Sequence, residues 1–203
     1  MKILAIEASS LVASVAIMTD DIITAEYTMN QKITHSQTIM PMIDEIVRRC
    51  EADLAELDAI AVSGGPGSFT GLRIGSATGK GLAQALNIPI VHVPTLDAMA
   101  FNAYGYNGLV CPIMDARRMQ VYTGIYRVTK EVEIVQEGCA ISIEELVEKL
   151  NELSEPVLFI GDGIPVFESF IHCTMDYGDT KTETTVFTSH GRCTWQSHHP
   201  RKR

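Results

Sequence analysis

The chain has 203 residues, 46% hydrophobic and 20% charged, a composition that can bury one large core or two modest ones and that excludes a disordered polymer. Its formal net charge of −9 argues against unaided binding to a nucleic-acid backbone, which rewards clustered Lys and Arg, so contact with RNA needs a local basic patch or a basic partner. Five cysteines, Cys50, Cys111, Cys139, Cys173 and Cys193, show no CxxC pairing and read as free thiols of a reducing compartment.

The N-terminal run "MKILAIEASSLVASVAIM" has a lysine ahead of apolar residues, yet Glu7 breaks the apolar stretch and Ser9 and Ser10 follow it. No apolar run reaches the roughly 18 residues of a membrane span; the expectation is a cytoplasmic protein without a membrane partner. "KILAIEAS" and "LVASVAIMTDD" read as two strands around a polar turn, and "IITAEYTMN" as a third. From Thr38 to Cys50 the residues Ile39, Ile43, Ile46, Val47 and Cys50 fall at helical spacing, with Pro41 expected in the first turn. A short buried strand, Ala59 to Val62, runs into "SGGPGS". A helix from about Leu72 to Leu86 follows, stopped by Asn87, and "IPIVHVP" reads as another strand, with His92 as a satisfied buried residue.

From Leu109 the plan restarts. "CPIMDARRMQVYTGIYRV" overlays "ILAIEASSLVASVAIM" with Asp115 on Glu7 and Ala116 on Ala8, and "EPVLFIGDGIP" resembles "LDAIAVSGGPG". Two matches in one order imply a duplicated lobe. The expected organisation is a first lobe over residues 1–100 carrying the partner-binding helices, a second, incomplete lobe over 101–170, and an atypical, poorly ordered tail over 171–203. That tail holds four of the six histidines and the single tryptophan. A zinc reading of Cys173, His190, Cys193 and His198 fits no standard ligand framework.

The segment Ser63–Leu86, "SGGPGSFTGLRIGSATGKGLAQAL", invites a phosphate-loop reading and fails it. A G-x-x-x-x-G-K-[ST] loop places glycine five residues before Gly79, where Ile74 stands, and a hydroxyl after Lys80, where Gly81 stands. Two readings of the loop itself stay open: an anion-binding nest of backbone amides, or a strand-to-helix turn that needs glycine. Gly71, Gly75 and Gly79, with Ala83 next, share one helix face. Each interior glycine costs about 1 kcal/mol against alanine, so close approach of another backbone must offset it, from a helix of the same lobe, the sheet beneath or another subunit, packing inside the lobe being the commoner use. Catalytic patterns are thin: there is no G-x-S-x-G and no H-E-x-x-H, and His35 is followed four residues on by Ile39.

The blocks "GGPGSFTGLRIGSATGKGLA", "HSQTIMPMIDEI", "IEASS" and "DARRMQVYTGIY" closely resemble the bacterial tRNA threonylcarbamoyladenosine biosynthesis family of the TsaB (YeaZ) type, from Met1 to about Phe170. The resemblance implies an α/β fold of the actin/Hsp70/sugar-kinase class, two duplicated lobes with mixed sheets and flanking helices. It implies a non-catalytic scaffold or activating subunit that pairs with its catalytic paralogue TsaD, is joined by the ATPase TsaE, forms a homodimer when alone, and meets tRNA only through the complex. Catalytic relatives hold a metal with an H-x-x-x-H pair; His35 with Ile39 breaks that pair, so no metal and no catalytic residue is expected.

Pairing through the first-lobe helices makes Ile39, Met42, Ile43, Ile46, Gly71, Arg73, Ile74, Gly75, Thr78, Gly79 and Leu82 the expected partner surface. No cofactor is firmly expected. A residual ATP or ADP site in the complex would involve Glu7, Ser9, Gly64, Gly65 and Gly67. The rival functions are an ATPase or phosphotransferase of the same fold, a metalloprotease-like relative, and a homodimeric interaction module.

Overall fold

The computed structural model describes residues 1–31, 34–129 and 131–175, with short strand segments at 186–187 and 193–194. Its contacts divide into two compact units, Met1–Thr95 and Leu96–Arg203. His190 and His198 of the zinc reading lie outside the described residues, as does the Cys193 side chain; Cys173 is an exposed thiol. No helix among the described residues is long and apolar enough to cross a membrane.

In the first unit, alternation of side chains along β1 (Lys2–Glu7) sends Leu4 and Ile6 to one face, where they are fully buried. β1 pairs antiparallel with β2 (Ala13–Thr19) and parallel with β4 (Ala59–Ser63). β3 (Ile22–Met29) and β5 (Ile90–Val93) complete the order β3-β2-β1-β4-β5. The apolar face is covered by α1 (His35–Arg49) and α2 (Phe69–Leu86).

Ile39, Met42, Ile43 and Ile46 form the buried stripe of α1, each no more than 3% exposed, and burial of such a side chain stabilises by roughly 1.5–3 kcal/mol. Arg49 closes the last turn with an ion pair to Glu45 at 2.8 Å, where positive charge also suits the helix dipole. The helix starts at His35, ahead of the sequence expectation, so Pro41 lies inside it rather than in its first turn. The proline deprives Gln37 of its helical donor, but Gln37 is exposed, and water can satisfy that carbonyl. α2 is capped by Ser68, whose Oγ accepts from Gly71 N–H at 3.2 Å. It ends where Asn87 turns left-handed at φ 55°.

The second unit repeats this plan. β6 (Leu109–Arg117) pairs antiparallel with β7 (Gln120–Val128) and parallel with β9 (Val157–Ile160). β8 (Val132–Ser142), β10 (Val186–Phe187) and β11 (Cys193–Thr194) give the order β11-β10-β9-β6-β7-β8. The run β8-β7-β6-β9 mirrors β3-β2-β1-β4, as the internal repeat predicted. α4 (Ile143–Leu153) and α5 (Ile164–Thr174) enclose one core on this sheet, with Leu109, Cys111, Ile113 and Phe159 fully or almost fully buried. A second core, with Leu96 and Ala100 of α3 (Thr95–Phe101), includes buried Tyr126. Its hydroxyl donates to Asp97 at 2.9 Å, and burial followed by that carboxylate pushes its pKa upward.

The β6–β7 connection is strained. Arg117, Arg118 and Met119 are left-handed in succession, at φ 70°, 53° and 60°. Arg118 and Met119 form the two-residue turn, which normally selects Asn-Gly or Gly-Gly, and each such non-glycine residue costs on the order of 1–2 kcal/mol.

Candidate functional site

The turn after β1 is where the sequence placed its polar candidates, and the structure closes it from several sides. The Glu7 carboxylate accepts from Ser9 N–H at 2.5 Å, and Ser63 Oγ accepts from Ala8 N–H at 3.2 Å. Ser68 N–H donates to the Ser9 carbonyl at 2.6 Å. His35 Nε2 meets the Ser10 carbonyl at 2.8 Å, so the imidazole at the head of α1 acts as a clasp on this turn. Ser9 is buried, and Gly67 passes so near its carbonyl that any side chain there would collide with it.

The glycine loop is similarly spent. Gly64 N–H donates to Val93 O at 2.8 Å and Gly65 N–H to Thr95 Oγ1 at 3.1 Å, while Pro66 has no donor. Of the loop amides in a phosphate nest, those of Gly64, Gly65 and Ser68 are already used. The strand-to-helix turn is therefore the reading the geometry favours. His92 differs from expectation: it is exposed, and its ring occupies the position where a Cβ on Gly64 would stand. A side chain at residue 64 would displace that ring.

The periodic glycines face inward. A Cβ on Gly71 would overlap the Ala8 carbonyl oxygen; one on Gly75 would stand 3.0 Å from Ala8 Cβ, and one on Gly79 2.5 Å from Val62 Cγ1. The close partner is thus the unit's own sheet. This corrects the expected partner surface at its centre. Gly71, Gly75 and Gly79 are buried under α2, and Ile39, Met42, Ile43 and Ile46 are buried under α1, because the sheet's apolar face consumes both stripes. Ile74 and Leu82 are half-buried and pack against the same core, Thr78 is half-buried, and Arg73 is exposed.

What α2 presents outward is the complementary stripe. Phe69, Leu72, Arg73, Ser76, Ala77 and Lys80 line an open depression of about 360 Å³, at the i, i+3, i+4, i+7, i+8, i+11 spacing of one helix face. Phe69 is 68% exposed, and the Arg73 guanidinium lies 3.9 Å from its ring centroid, a cation–π contact that holds both in place. No acidic residue occurs in α2, so this face is neutral to basic on an acidic chain. Sequence reasoning found only Arg73 of this set. The signal was available in the same periodicity, read half a turn away.

The family model for TsaD, tRNA N6-adenosine threonylcarbamoyltransferase, matches residues 23–188. The tRNA threonylcarbamoyladenosine biosynthesis protein TsaB of Bacillus subtilis (strain 168) is 38% identical over 84% of this chain and 75% of its own length. The Escherichia coli (strain K12) TsaB is 35% identical over 80% and 72%. The chain belongs to the TsaB family. Solved structures agree: YeaZ from Pseudomonas aeruginosa superposes with TM-score 0.72 at 29% identity, covering 82% of this chain and 78% of that one. A second P. aeruginosa protein, described as similar to peptidase YEAZ, gives 0.75 at 26% identity over 91% and 82%. The fold is α/β, with two mixed sheets and flanking helices, and is shared with these YeaZ structures.

Proposed function

We propose that this chain is a non-catalytic scaffold or activating subunit in the formation of N6-threonylcarbamoyladenosine in tRNA, acting in the cytoplasm beside the catalytic paralogue TsaD and the ATPase TsaE. The observation that carries the reading is the outward stripe of α2. An exposed aromatic, a small-residue floor at Ser76 and Ala77 and two flanking cations make a surface for close helix packing. The first unit supplies this surface, and a second copy of the chain takes the partner's place when TsaD is absent.

The absence of catalysis is argued from donor chemistry. His35 is committed to the Ser10 carbonyl, and the residue one helical turn on is Ile39, buried in the core with no donor to offer. The closed turn between β1 and β2 weighs against the phosphotransferase reading, since the loop amides that would cradle phosphate are spent on Val93 O, Thr95 Oγ1 and the Ser9 carbonyl instead.

The test is reconstitution. The chain alone should leave tRNA unmodified, and adding it to TsaD and TsaE should permit turnover. Ala77→Arg combined with Phe69→Ala should fold with unchanged melting temperature yet lose co-purification with TsaD by at least tenfold in affinity, as truncating an interface anchor does. Full modification by TsaD and TsaE without this chain would overturn the proposal.

A further inference from the structure

The second hairpin carries a feature the partner surface does not use. From Ala98 to Tyr126 the only charged side chains are Asp115, Arg117 and Arg118, and both arginines stand on the strained left-handed tip of β6–β7. The backbone of the tip is tied at two points. Asp115 Oδ1 accepts from Arg117 N–H at 2.8 Å, and the Met119 carbonyl accepts the first amide of α4, Ile143 N–H, at 3.0 Å. Neither bond uses a guanidinium. The Arg117 side chain is 87% exposed and reaches Asp115 only at 3.8 Å, and Arg118 makes no ion pair among the described residues. Strain is tolerated where it places a group for use, and Asn or Gly would make this turn without strain.

We infer that the Arg117–Arg118 hairpin tip is a phosphate contact for the backbone of a bound RNA. The inference rests on the tRNA reading above and adds to it a direct point of contact on this subunit. An acidic chain cannot bind RNA broadly, but two planar guanidinium forks on one backbone turn can engage one or two phosphates presented by a complex. Asp115 is the opposing charge at the tip: its Oδ1 accepts from the Arg117 amide and its Oδ2 lies 3.8 Å from the Arg117 guanidinium. It limits the contact to the forks themselves rather than a broad patch.

The experiment uses the full chain reconstituted with TsaD and TsaE and unmodified tRNA as the probe, with affinity measured across a salt series. Arg117→Asn with Arg118→Asn keeps residues that accept left-handed backbone, so the melting temperature should stay level or rise. The tRNA affinity should fall about three- to tenfold, and the salt slope should drop by about 1–2 units. Arg118→Lys preserves the charge and should retain most of the slope. Unchanged affinity and slope in the double variant would overturn the hairpin contact while leaving the scaffold role standing. Loss of co-purification with TsaD at unchanged salt slope would also overturn it, by making the tip a protein contact. If the wild-type chain adds nothing to tRNA binding or modification, the functional reading falls and this contact falls with it.

Discussion

The inward glycine face makes a prediction with opposite signs on one helix. Gly79 and Gly81 both lie inside α2, where alanine gains up to about 1 kcal/mol over glycine by helix propensity. At Gly81 nothing lies within 4 Å of an added Cβ, so the gain is kept. At Gly79 the new carbon would stand 2.5 Å from Val62 Cγ1, 3.4 Å from Ile90 Cδ1 and 3.5 Å from Ile60 Cγ2. Restoring contact at about 3.5–4.0 Å requires a shift of roughly 1.0–1.5 Å against a stiff β-branched side chain that is 3% exposed. Overpacking of that kind costs about 1–3 kcal/mol, so Gly79→Ala, even after the propensity gain, should be net destabilising by up to about 2 kcal/mol. At about 2–4 °C per kcal/mol for a chain of this size, Gly81→Ala should raise the melting temperature by about 2 °C and Gly79→Ala lower it by about 4 °C. Thermal scans followed by circular dichroism, with light scattering for association state, read both. A Gly79→Ala protein that melts as wild type or later, yet no longer pairs, would show that the stripe is an external docking face and would refute the packing argument.

Two further expectations follow from buried polar contacts. Burial pushes the Cys111 thiol up to about 12 from its ordinary 9.0, partly offset by its contact with Thr123. Above pH 9 the unfolded chain therefore releases a proton that the native state keeps, so this contribution to stability is full below pH 9 and is lost as pH rises toward 12. Urea melts between pH 8 and 10.5 should show a decline approaching about 1.4 kcal/mol per pH unit, less steep in Cys111→Ala; alkylation at pH 8 should label exposed Cys173 well before Cys111. His35→Ala should lower stability by about 1 kcal/mol through loss of the clasp on Ser10 while leaving the reconstituted modification rate per folded protein unchanged; a folded variant without activity would mean that His35 takes part in the chemistry.

How much of this was legible before the structure depends on what kind of signal each element carried. The strands flanking Ser9 and Ser10, the repeat at Asp115 and the stop at Asn87 were readable because alternation, self-similarity and a left-handed cap residue are local properties. The orientation of α2 was not. Glycines every fourth residue define a face but carry no hydrophobicity to say which way it points, and Phe69, Leu72, Arg73, Ser76, Ala77 and Lys80 repeat with the same period on the other side. Only the closeness of Ala8 and Val62 to the glycine backbone decides between them. His92 was misjudged from its apolar neighbours because β5 is an edge strand, which leaves its residues open to solvent.

The duplication explains why one hairpin is closed and the other open. In the first unit the turn from β4 into α2 grips the β1–β2 connection beyond its acidic residue: Ser68 N–H reaches the carbonyl of Ser9, two positions after Glu7. In the second unit the matching turn from β9 into α5 grips the strand earlier, with Gly163 N–H on the carbonyl of Ile113 at 3.0 Å, two positions before Asp115. Gly161, at φ 120°, and Gly163 both crowd that same carbonyl. A grip displaced toward the strand cannot cover the tip, so Arg117 and Arg118 stay in solvent while Ser9 is buried. The same topology thus yields a turn used for packing in one unit and a turn free to meet a ligand in the other, and the placement of the two arginines on the free one is the difference that the salt-dependence experiment reads.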